Sequence, residues 1–476
     1  MENILSKDLV IEELHYEYKK AKGGFPNSFW ETYSAFANSD GGYIFLGIYE
    51  KEKRKYAPIG LSDEEMDNLI SNMFSTLNNK NKINVNLILD SDITKIKVDG
   101  QNVLRIYVKR CPRELRPVYL NNNPFQGTYR RNADGDYRCS VEEVKSLIRD
   151  SSTKDLDLTI VEEADINQLN QESIQSYRQT FSSLHPDHPF LKESNERFLE
   201  FIGAARLDQA GKYHPTYAGL LMFGYSYRIV YEFSNYFLDY KQKTNYNNEK
   251  WDNRIHSESG DWSGNLFDFF FRVSNSITSS LPTPYVVKGI RRIDDNGLKK
   301  AMREALCNAL CNSDFNLNGG VVIENDGYEI KFSNPGCLMM DISQMLKGGT
   351  SQPRNKTLLK MFNLINIGER SGSGIPLIFS TCKENNMPLP DIIEDYGPDR
   401  TTVIIHIASK VDSSGLNDLQ KSIVDYISKN GPCSAKEISE HFVKNITTIK
   451  LALYKLVDLS ILDSQGTIKD KKYFKK

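Results

Sequence analysis

The sequence predicts a multidomain α+β chain. Three observations carry that prediction. Helical and strand patterns alternate through the first 150 residues, a long helix at 296–312 is followed by strands, and the last sixty or so residues read as three helices and two strands. At 476 residues, and roughly 100–200 per domain, the chain has room for about three domains. Lys plus Arg is 60 against 62 for Asp plus Glu, a net charge of −2, and 39% of residues are hydrophobic. That balance excludes a histone-like basic coat and a wholly acidic disordered tail. It does not exclude nucleic acid, because opposite charges in different domains cancel.

Residues 26–38 read as a helix with Phe29, Trp30, Tyr33, Phe36 and Ala37 on one face. Ser39-Asp40-Gly41-Gly42 breaks it, and 43–48 follows as a short buried strand. The Gly-Gly step permits a left-handed turn without a Cβ clash. Further strands fit 85–88, 93–98 and 103–108, and a helix fits 141–149. Residues 151–165, rich in Ser, Thr and Asp, read as a linker. Beyond it a helix at 171–183 meets a Pro/His-rich loop, 184–189. His185 and His188 there read as parts of a turn, since no third metal ligand accompanies them. His214-Pro215-Thr216 opens a compact helix at 217–223, and strands at 320–323 and 329–333 follow the long helix. A polar stretch at 410–415 marks a second linker, dividing the chain into parts at 1–150, 166–410 and 415–476.

In the last part, a helix at 416–429 ends at Gly431-Pro432, and Ser434-Ala435-Lys436-Glu437 forms a capping box that opens a short helix. A longer helix follows at 446–459, then two strands around Gly466. Three helices and a β-wing make a winged helix-turn-helix, although short three-helix units also serve as protein-docking modules. Residues 447–457 would be the groove-reading helix, with Lys444, Lys450 and Lys455 at the nucleic acid. Ile449, Leu453 and Leu456 would face the module's own core.

Charge is unevenly placed. Between 101 and 131 lie Arg105, Lys109, Arg110, Arg113, Arg116, Arg130 and Arg131 against Glu114 alone. Between 441 and 476 there are eight lysines against three aspartates. Tyrosines punctuate both stretches, the combination that phosphate contacts and base stacking require. Arg110, Arg113, Arg116, Arg130 and Arg131 are therefore candidate nucleic-acid contacts, with a solvated charged face as the competing reading.

Seven scattered cysteines and no apolar run of membrane-spanning length point to a soluble, cytoplasmic chain with free thiols and no membrane partner. Cys307 and Cys311, four apart on one helix, read as two buried small residues, since no second pair completes a metal site.

Two constellations carry chemistry. Near the start, Glu12, Glu17 and Glu50, with Lys19 beside them, could hold Mg²⁺ or Mn²⁺ and activate water for phosphodiester cleavage. A solvated or salt-bridged set is the default for acids so spaced. Residues 12–50 resemble the Schlafen AlbA-type domain: Glu12, Glu17-Tyr18-Lys19, Ala35-Phe36-Ala37-Asn38, Gly41-Gly42 and Gly47-Ile48 follow its pattern in order. The resemblance implies an α+β nucleic-acid domain. In animal Schlafen nucleases three acids of this pattern cut RNA, and they fall here on Glu12, Glu17 and Glu50. Many bacterial relatives are regarded as DNA-binding regulators. Glu50 stands where relatives usually have Asp, and Tyr49 replaces the first acid of the pair.

The second constellation begins with Glu304 and Asn308, one helical turn apart on a shared face, where they could orient Mg²⁺ and a water beside a triphosphate. Ser333-Asn334-Pro335-Gly336 follows, then Gly372-Ser373-Gly374-Ile375, a turn whose amides could approach phosphates before a helix. With His214 to Gly224, Arg354-Asn355 and 369–375, these pieces resemble, in order, the divergent GHKL-type ATPase domain, an α/β sandwich. That resemblance implies ATP as cofactor. Glu304 would be the water-activating base and Asn308 the Mg²⁺ ligand. Gly372 and Gly374 would line the phosphate loop, and Asn334 and Gly336 would stand near the adenine side. Asn334 replaces the adenine-reading Asp, and Asn312 stands where relatives commonly have His.

The leading expectation is a DNA-binding regulator gated by ATP, with at most weak ATPase turnover. The alternative is a metal-dependent endoribonuclease acting on tRNA or another RNA, and the third is an inactive interaction scaffold. Nucleic acid is the expected partner, and self-association is left open.

Overall fold

The computed structural model describes residues 3–4, 15–53, 55–132, 135–243, 251–281, 287–288, 291–292, 297–368, 372–385, 387–407, 418–442, 444, 446–458, 461–465 and 471–475. By contacts the chain forms two compact units, Met1–Asp326 with Ile330–Ile405, and Gly327–Glu329 with His406–Lys476.

The first unit opens with β1 (Asn3–Ile4), β2 (Tyr16–Lys19), α1 (Phe29–Asn38), β3 (Gly42–Leu46), β4 (Ile48–Glu52), β5 (Lys55–Pro58), α2 (Asp63–Leu77), β6 (Ile93–Val98) and β7 (Gln101–Val108). Five of these strands make a sheet in the order β1-β6-β7-β3-β2, with β2 and β3 parallel and β3 antiparallel to β7. The apolar face of α1 packs on one side of it, where Phe29, Tyr33 and Phe36 meet Ile44, Leu46 and Ile106. The other side carries a smaller cluster of Tyr18, Phe45 and Ile48. Between α1 and β3 the chain reverses through Gly41 at φ +77°, where a Cβ would stand 2.7 Å from the Val108 carbonyl oxygen. Only glycine fits that position.

The strand expected at 85–88 does not form. The Tyr33 hydroxyl donates to the Val85 carbonyl (2.8 Å) and accepts from the Leu87 amide (2.9 Å), while the Ile88 amide donates to Asn86 Oδ1 (3.1 Å). These three backbone groups bond side chains and are not available to a neighbouring strand.

There follow α3 (Pro124–Gly127), β8 (Tyr129–Asn132), β9 (Gly135–Arg138) and α4 (Val141–Asp150), then α5 (Gln171–Leu184), α6 (Asn195–Ile202), β10 (Ala205–Leu207), β11 (Tyr213–Pro215), α7 (Tyr217–Phe223) and α8 (Ser226–Glu232). Next come β12 (Leu238–Gln242), β13 (Asn253–His256), α9 (Leu266–Ser280), the two-residue strands β14 (Val287–Lys288) and β15 (Arg291–Arg292), and α10 (Gly297–Cys311). The unit closes with β16 (Val321–Asn325), β17 (Glu329–Pro335), α11 (Ile342–Lys347), α12 (Lys356–Leu364), α13 (Gly374–Glu384), β18 (Asp391–Tyr396) and β19 (Asp399–His406). A six-stranded mixed sheet runs β13-β12-β16-β17-β19-β18. Helix α10 packs against α9, α12 and α13. Cys307 and Cys311 are fully buried on it, with sulfurs 3.9 Å apart.

The expected linker at 151–165 is packed rather than free. Asp157 is buried, and its carboxylate accepts from the Thr357 amide (2.7 Å) and the Leu358 amide (3.1 Å) at the start of α12. Those amides have no partner inside their helix, and a carboxylate there also meets the favourable end of the helix dipole. The two loop histidines are held as a turn: His185 Nε2 lies 3.1 Å from the Leu364 carbonyl, and His188 Nδ1 accepts from the Phe190 amide at 3.3 Å.

The second unit contains α14 (Asp418–Asn430), β20 (Cys433–Ser434), α15 (Ala435–His441), α16 (Ile446–Asp458), β21 (Leu462–Gln465) and β22 (Lys472–Lys475). Its sheet order is β20-β22-β21, antiparallel throughout. The capping box is present: the Glu437 amide donates to Ser434 Oγ (3.3 Å), and the Ser434 amide donates to Glu437 Oε2 (2.6 Å). Ile449, Leu453 and Leu456 are buried with Ile423, Ile438 and Tyr473. The expected linker at 410–415 and the turn at Gly466 lie outside the described residues. Among the described residues, no helix is long and apolar enough to cross a membrane.

Candidate functional site

Helix α10 places Glu304 and Asn308 on one face, where Asn308 Nδ2 donates to Glu304 Oε1 at 3.1 Å. Both line a cavity of about 110 Å³ together with Asn334, Gly372 and Gly374. Three methionines, Met339, Met340 and Met345, supply much of its apolar wall. The N-terminus of α13 abuts Glu304 so closely that a Cβ on Gly374 would lie 1.9 Å from Glu304 Oε1. The carboxylate therefore sits where the helix dipole favours negative charge. Gly372 has φ +69°, and a Cβ there would come within 2.0 Å of the Thr350 carbonyl oxygen. The Gly372–Gly374 backbone is thus wedged between the 348–350 segment and α10.

Asn334 is buried at the end of β17 and donates from Nδ2 to the Pro335 carbonyl at 3.2 Å. Gly336 does not line the cavity. At φ +100° it leaves room for Arg354, whose Nη1 would stand 2.6 Å from a Cβ at that position. Asn312 donates back to the Asn308 carbonyl at 2.9 Å. Residues 369–371 lie outside the described residues.

In the acidic constellation, Glu17 is buried on β2 between two cations. Its Oε1 lies 2.6 Å from Lys19 Nζ and its Oε2 2.8 Å from Arg131 Nη1. Arg131 also reaches Asp136 at 2.9 Å and donates to the Tyr16 carbonyl at 2.9 Å. Glu50 is exposed on β4, beside an irregularity in the pairing with β5. Glu12 lies outside the described residues. Among the described residues, no group of three acids, histidines or cysteines assembles to hold a metal ion.

The candidate arginines Arg110, Arg113, Arg116, Arg130 and Arg131 need correcting as a phosphate-binding surface, because they are engaged or buried within the first unit. Arg110 forms a two-pronged pair with Glu394 (2.6 and 3.0 Å) and donates to the Leu338 carbonyl at 3.0 Å. Arg130 is 3% exposed, pairs with Asp399 and stacks over the Tyr396 ring at 5.2 Å. Arg131 is the buried partner of Glu17 and Asp136 already described. Arg113 donates to the Asp150 carbonyl at 2.8 Å. Arg116 is buried near Arg110, and burial lowers its pKa. The physical reason is pairing. A guanidinium withdrawn from water is stable only where carboxylates or carbonyls replace its hydration; Glu394 and Asp399 do so for Arg110 and Arg130, Glu17 and Asp136 for Arg131, and the Asp150 carbonyl for Arg113.

Lys444, Lys450 and Lys455 are exposed. On the outer face of α16, Leu451 and Tyr454 are also exposed, at 66% and 56%.

Sequence reasoning gave Arg354 no role. Its Nε and Nη2 grip the two oxygens of Asp150, each at 2.8 Å, and Nη2 also donates to the Cys337 carbonyl at 2.9 Å. Arg149 of the same helix end reaches Asp314 at 2.7 Å. The end of α4 is thereby fixed to the segments that flank the cavity. The one signal available beforehand was Arg354-Asn355 as a motif fragment. Nothing in the spacing named Asp150 as its partner, 204 residues away.

Family models match three stretches of the chain. Residues 12–140 match "Schlafen, AlbA_2", and residues 322–405 match "Putative ATP-dependent DNA helicase recG C-terminal". Residues 145–239 match a domain of unknown function, DUF8451. The chain therefore carries a Schlafen AlbA_2 domain and, after it, an ATPase-type domain of the recG C-terminal class. Among solved structures, the DIP2311 protein from Corynebacterium diphtheriae aligns over 97% of this chain and 95% of its own, at 15% identity and a TM-score of 0.40. The N-terminal domain of a "Putative ATP-dependent DNA Helicase RecG-related Protein" from Nitrosomonas europaea aligns over 27% of this chain and 82% of its own. Its identity is 28% and its TM-score 0.20. No curated protein gives a significant match.

Proposed function

We propose that this chain is a nucleic-acid-binding regulator in which ATP, taken up by a GHKL-like domain at 166–410, gates DNA binding by a winged helix at 415–476. The observation that carries the reading is convergence. Glu304, Asn308, Asn334, Gly372 and Gly374 come from three separate stretches of sequence and line one cavity. The family match at 322–405 to a model named for an ATP-dependent DNA helicase supports nucleotide and nucleic acid together.

The donor set fits a nucleotide: a carboxylate and an amide on one helix face, opposite a glycine turn at a helix N-terminus. The volume, about 110 Å³, falls below the roughly 300–1,000 Å³ of ligand sites. In this reading, uptake moves the 372–374 turn away from Glu304 of α10 and from the 348–350 segment on its other side, and that movement is the gate. When bound, ATP supplies the phosphate charge that competes with Glu304 for the α13 N-terminus. Asn308 is the residue to hold Mg²⁺, and Glu304 is the one to orient a water. In the C-terminal unit, Lys444, Lys450 and Lys455 contact phosphates while Leu451 and Tyr454 face the groove.

The test is thermal unfolding and duplex-DNA binding with and without millimolar MgATP. The expected result is a raised melting temperature and altered DNA affinity, both lost in Asn308→Ala. No shift in the unmutated protein overturns ATP binding. Absence of DNA and RNA binding at moderate salt leaves only the scaffold.

A second reading, metal-dependent RNA cleavage, rests on the Glu17–Lys19 pair, 2.6 Å apart inside the stretch that matches the Schlafen model. Incubation of the protein with tRNA and Mn²⁺, against EDTA and Glu17→Gln, decides it. Cleavage abolished by both controls replaces regulation with nuclease activity.

A further inference from the structure

We infer a second ligand site in the first unit, a cavity that takes a small phosphate-class oxyanion. The cavity, about 270 Å³, lies where the end of α4, the 152–159 stretch and the residue pair Arg354-Asn355 meet. Arg113, Arg149 and Ser313 are among its lining residues. Among the described residues, five buried side-chain polar atoms lack a hydrogen-bond partner, and three of them are Arg113 Nε, Arg149 Nε and Ser313 Oγ. Ser313 is 1% exposed. Two N–H donors and a hydroxyl, buried on residues that line one void and without a hydrogen-bond partner there, call for an acceptor that can take several hydrogen bonds at once.

The lining carries five cations, Arg113, Arg149, Lys154, Arg354 and Lys356, against four aspartates. Its four aspartates are each already engaged. Asp150 lies in the fork of Arg354, Asp155 pairs with Lys356 at 2.7 Å, Asp157 caps α12, and Asp314 accepts from Arg149 Nη2 at 2.7 Å and Asn316 Nδ2 at 2.9 Å. Arg113 has its Nη1 on the carbonyls of Asp150 and Ser152, and its nearest carboxylate is that of Glu114, 3.3 Å from Nε. Glu114 does not line the cavity and its side chain is 43% exposed. Lys154 adds a further cation to the lining. A tetrahedral oxyanion offers acceptors in several directions, and donors that are themselves charged hold it most strongly. The volume accommodates either free orthophosphate or the phosphoryl end of a mononucleotide.

This cavity is not the nucleotide cavity, although Met339 and Pro353 line both. Its ligand would tie Arg113 and the end of α4 to Ser313, two residues beyond α10. The inference does not depend on ATP binding at Glu304 and Asn308.

The test is thermal unfolding of the full chain in orthophosphate at constant ionic strength, with chloride as control, in the unmutated protein and in Ser313→Ala, Arg113→Lys and Asn308→Ala. Ser313→Ala removes one donor from a small side chain, and Arg113→Lys keeps the charge while removing Nε together with the Nη1 bonds to the Asp150 and Ser152 carbonyls. The expected result is stabilisation by millimolar orthophosphate, unchanged in Asn308→Ala. The apparent affinity should fall roughly three- to tenfold in Ser313→Ala and about tenfold or more in Arg113→Lys. Adenosine 5′-monophosphate, tested in the Asn308→Ala background, separates the sources: stabilisation that exceeds that by orthophosphate and still needs Ser313 assigns a mononucleotide. Stabilisation equal in chloride, absent altogether, or indifferent to both Ser313→Ala and Arg113→Lys overturns the site.

Discussion

Arg110 and Glu394, 284 residues apart in sequence, hold each other through parallel hydrogen bonds of 2.6 and 3.0 Å. Glu394 also accepts from the Leu338 amide at 2.7 Å, and Leu338 lines the cavity beside Glu304 and Asn308. The AlbA-type domain therefore buttresses the cavity wall directly. Removing one partner leaves the other charge buried and uncompensated, so Arg110→Met should destabilise the first unit by about 3–5 kcal/mol in denaturant unfolding. The double variant Arg110→Met, Glu394→Gln should recover part of that loss. DNA affinity at permissive temperature should stay unchanged, because Arg110 is an internal residue.

The same pair sets an acid limit. Burial alone would raise the Glu394 pKa, but the hydrogen bonds and charge of Arg110 outweigh it and hold the carboxyl below its usual 4.5. Asp314 is likewise lowered from 3.8 by Arg354 and Arg149 against the penalty of burial. A carboxyl with a depressed folded-state pKa contributes stability above its unfolded value and loses it as pH falls through the folded one. Melting temperature should therefore fall as pH drops below about 4.5. A titration of melting temperature against pH checks this, with a shallower fall expected in Glu394→Gln.

Gly374 can be tested with one methyl group. A Cβ there meets Glu304 Oε1 at 1.9 Å, so Gly374→Ala must push Glu304 or the α13 N-terminus aside. The expected outcome is loss of the MgATP-induced thermal shift, with a destabilisation of roughly 1–3 kcal/mol from overpacking. An unchanged shift with MgATP would remove the Glu304–Gly374 contact from the proposed gate.

The exposed lysines of the C-terminal unit should behave as phosphate contacts. Each of Lys444→Ala, Lys450→Ala and Lys455→Ala should reduce the slope of log affinity against log salt by about 0.9 for duplex DNA. Arg116→Gln should leave that slope unchanged, since Arg116 is buried. Fluorescence anisotropy across a salt series measures both.

All seven cysteines are buried and free. Burial pushes the thiols of Cys111 and Cys139 up to about 12. Since the thiolate is the reactive form, a thiol reagent should label the native chain slowly at neutral pH and all seven sites after denaturation.

Much of the local structure was legible beforehand. The helix at 217–223, the capping box at Ser434 and the buried stripe Ile449, Leu453, Leu456 follow from periodicity and capping chemistry, which act over a few residues. The strand expected at 85–88 shows where such rules stop. Val85 to Ile88 has a strand's composition, yet the Tyr33 hydroxyl and Asn86 take its backbone bonds. The linker expected at 151–165 failed for the same reason, because the polarity that suggested solvent was being used by Asp157 to cap a helix about 200 residues on.

The sequence by itself determined the α+β alternation, the pairing of Glu304 with Asn308 on one helix face, and the glycines that make close approach possible. Only the tertiary structure decided what the charges do. Arg110, Arg130 and Arg131 read as a nucleic-acid surface in one dimension, and in three they are internal bolts to Glu394, Asp399 and Glu17. A list of residues shows how many charges a segment carries, whereas the dielectric around each and the identity of its partner depend on contacts between residues far apart in the chain. Those contacts exist only once the chain has folded.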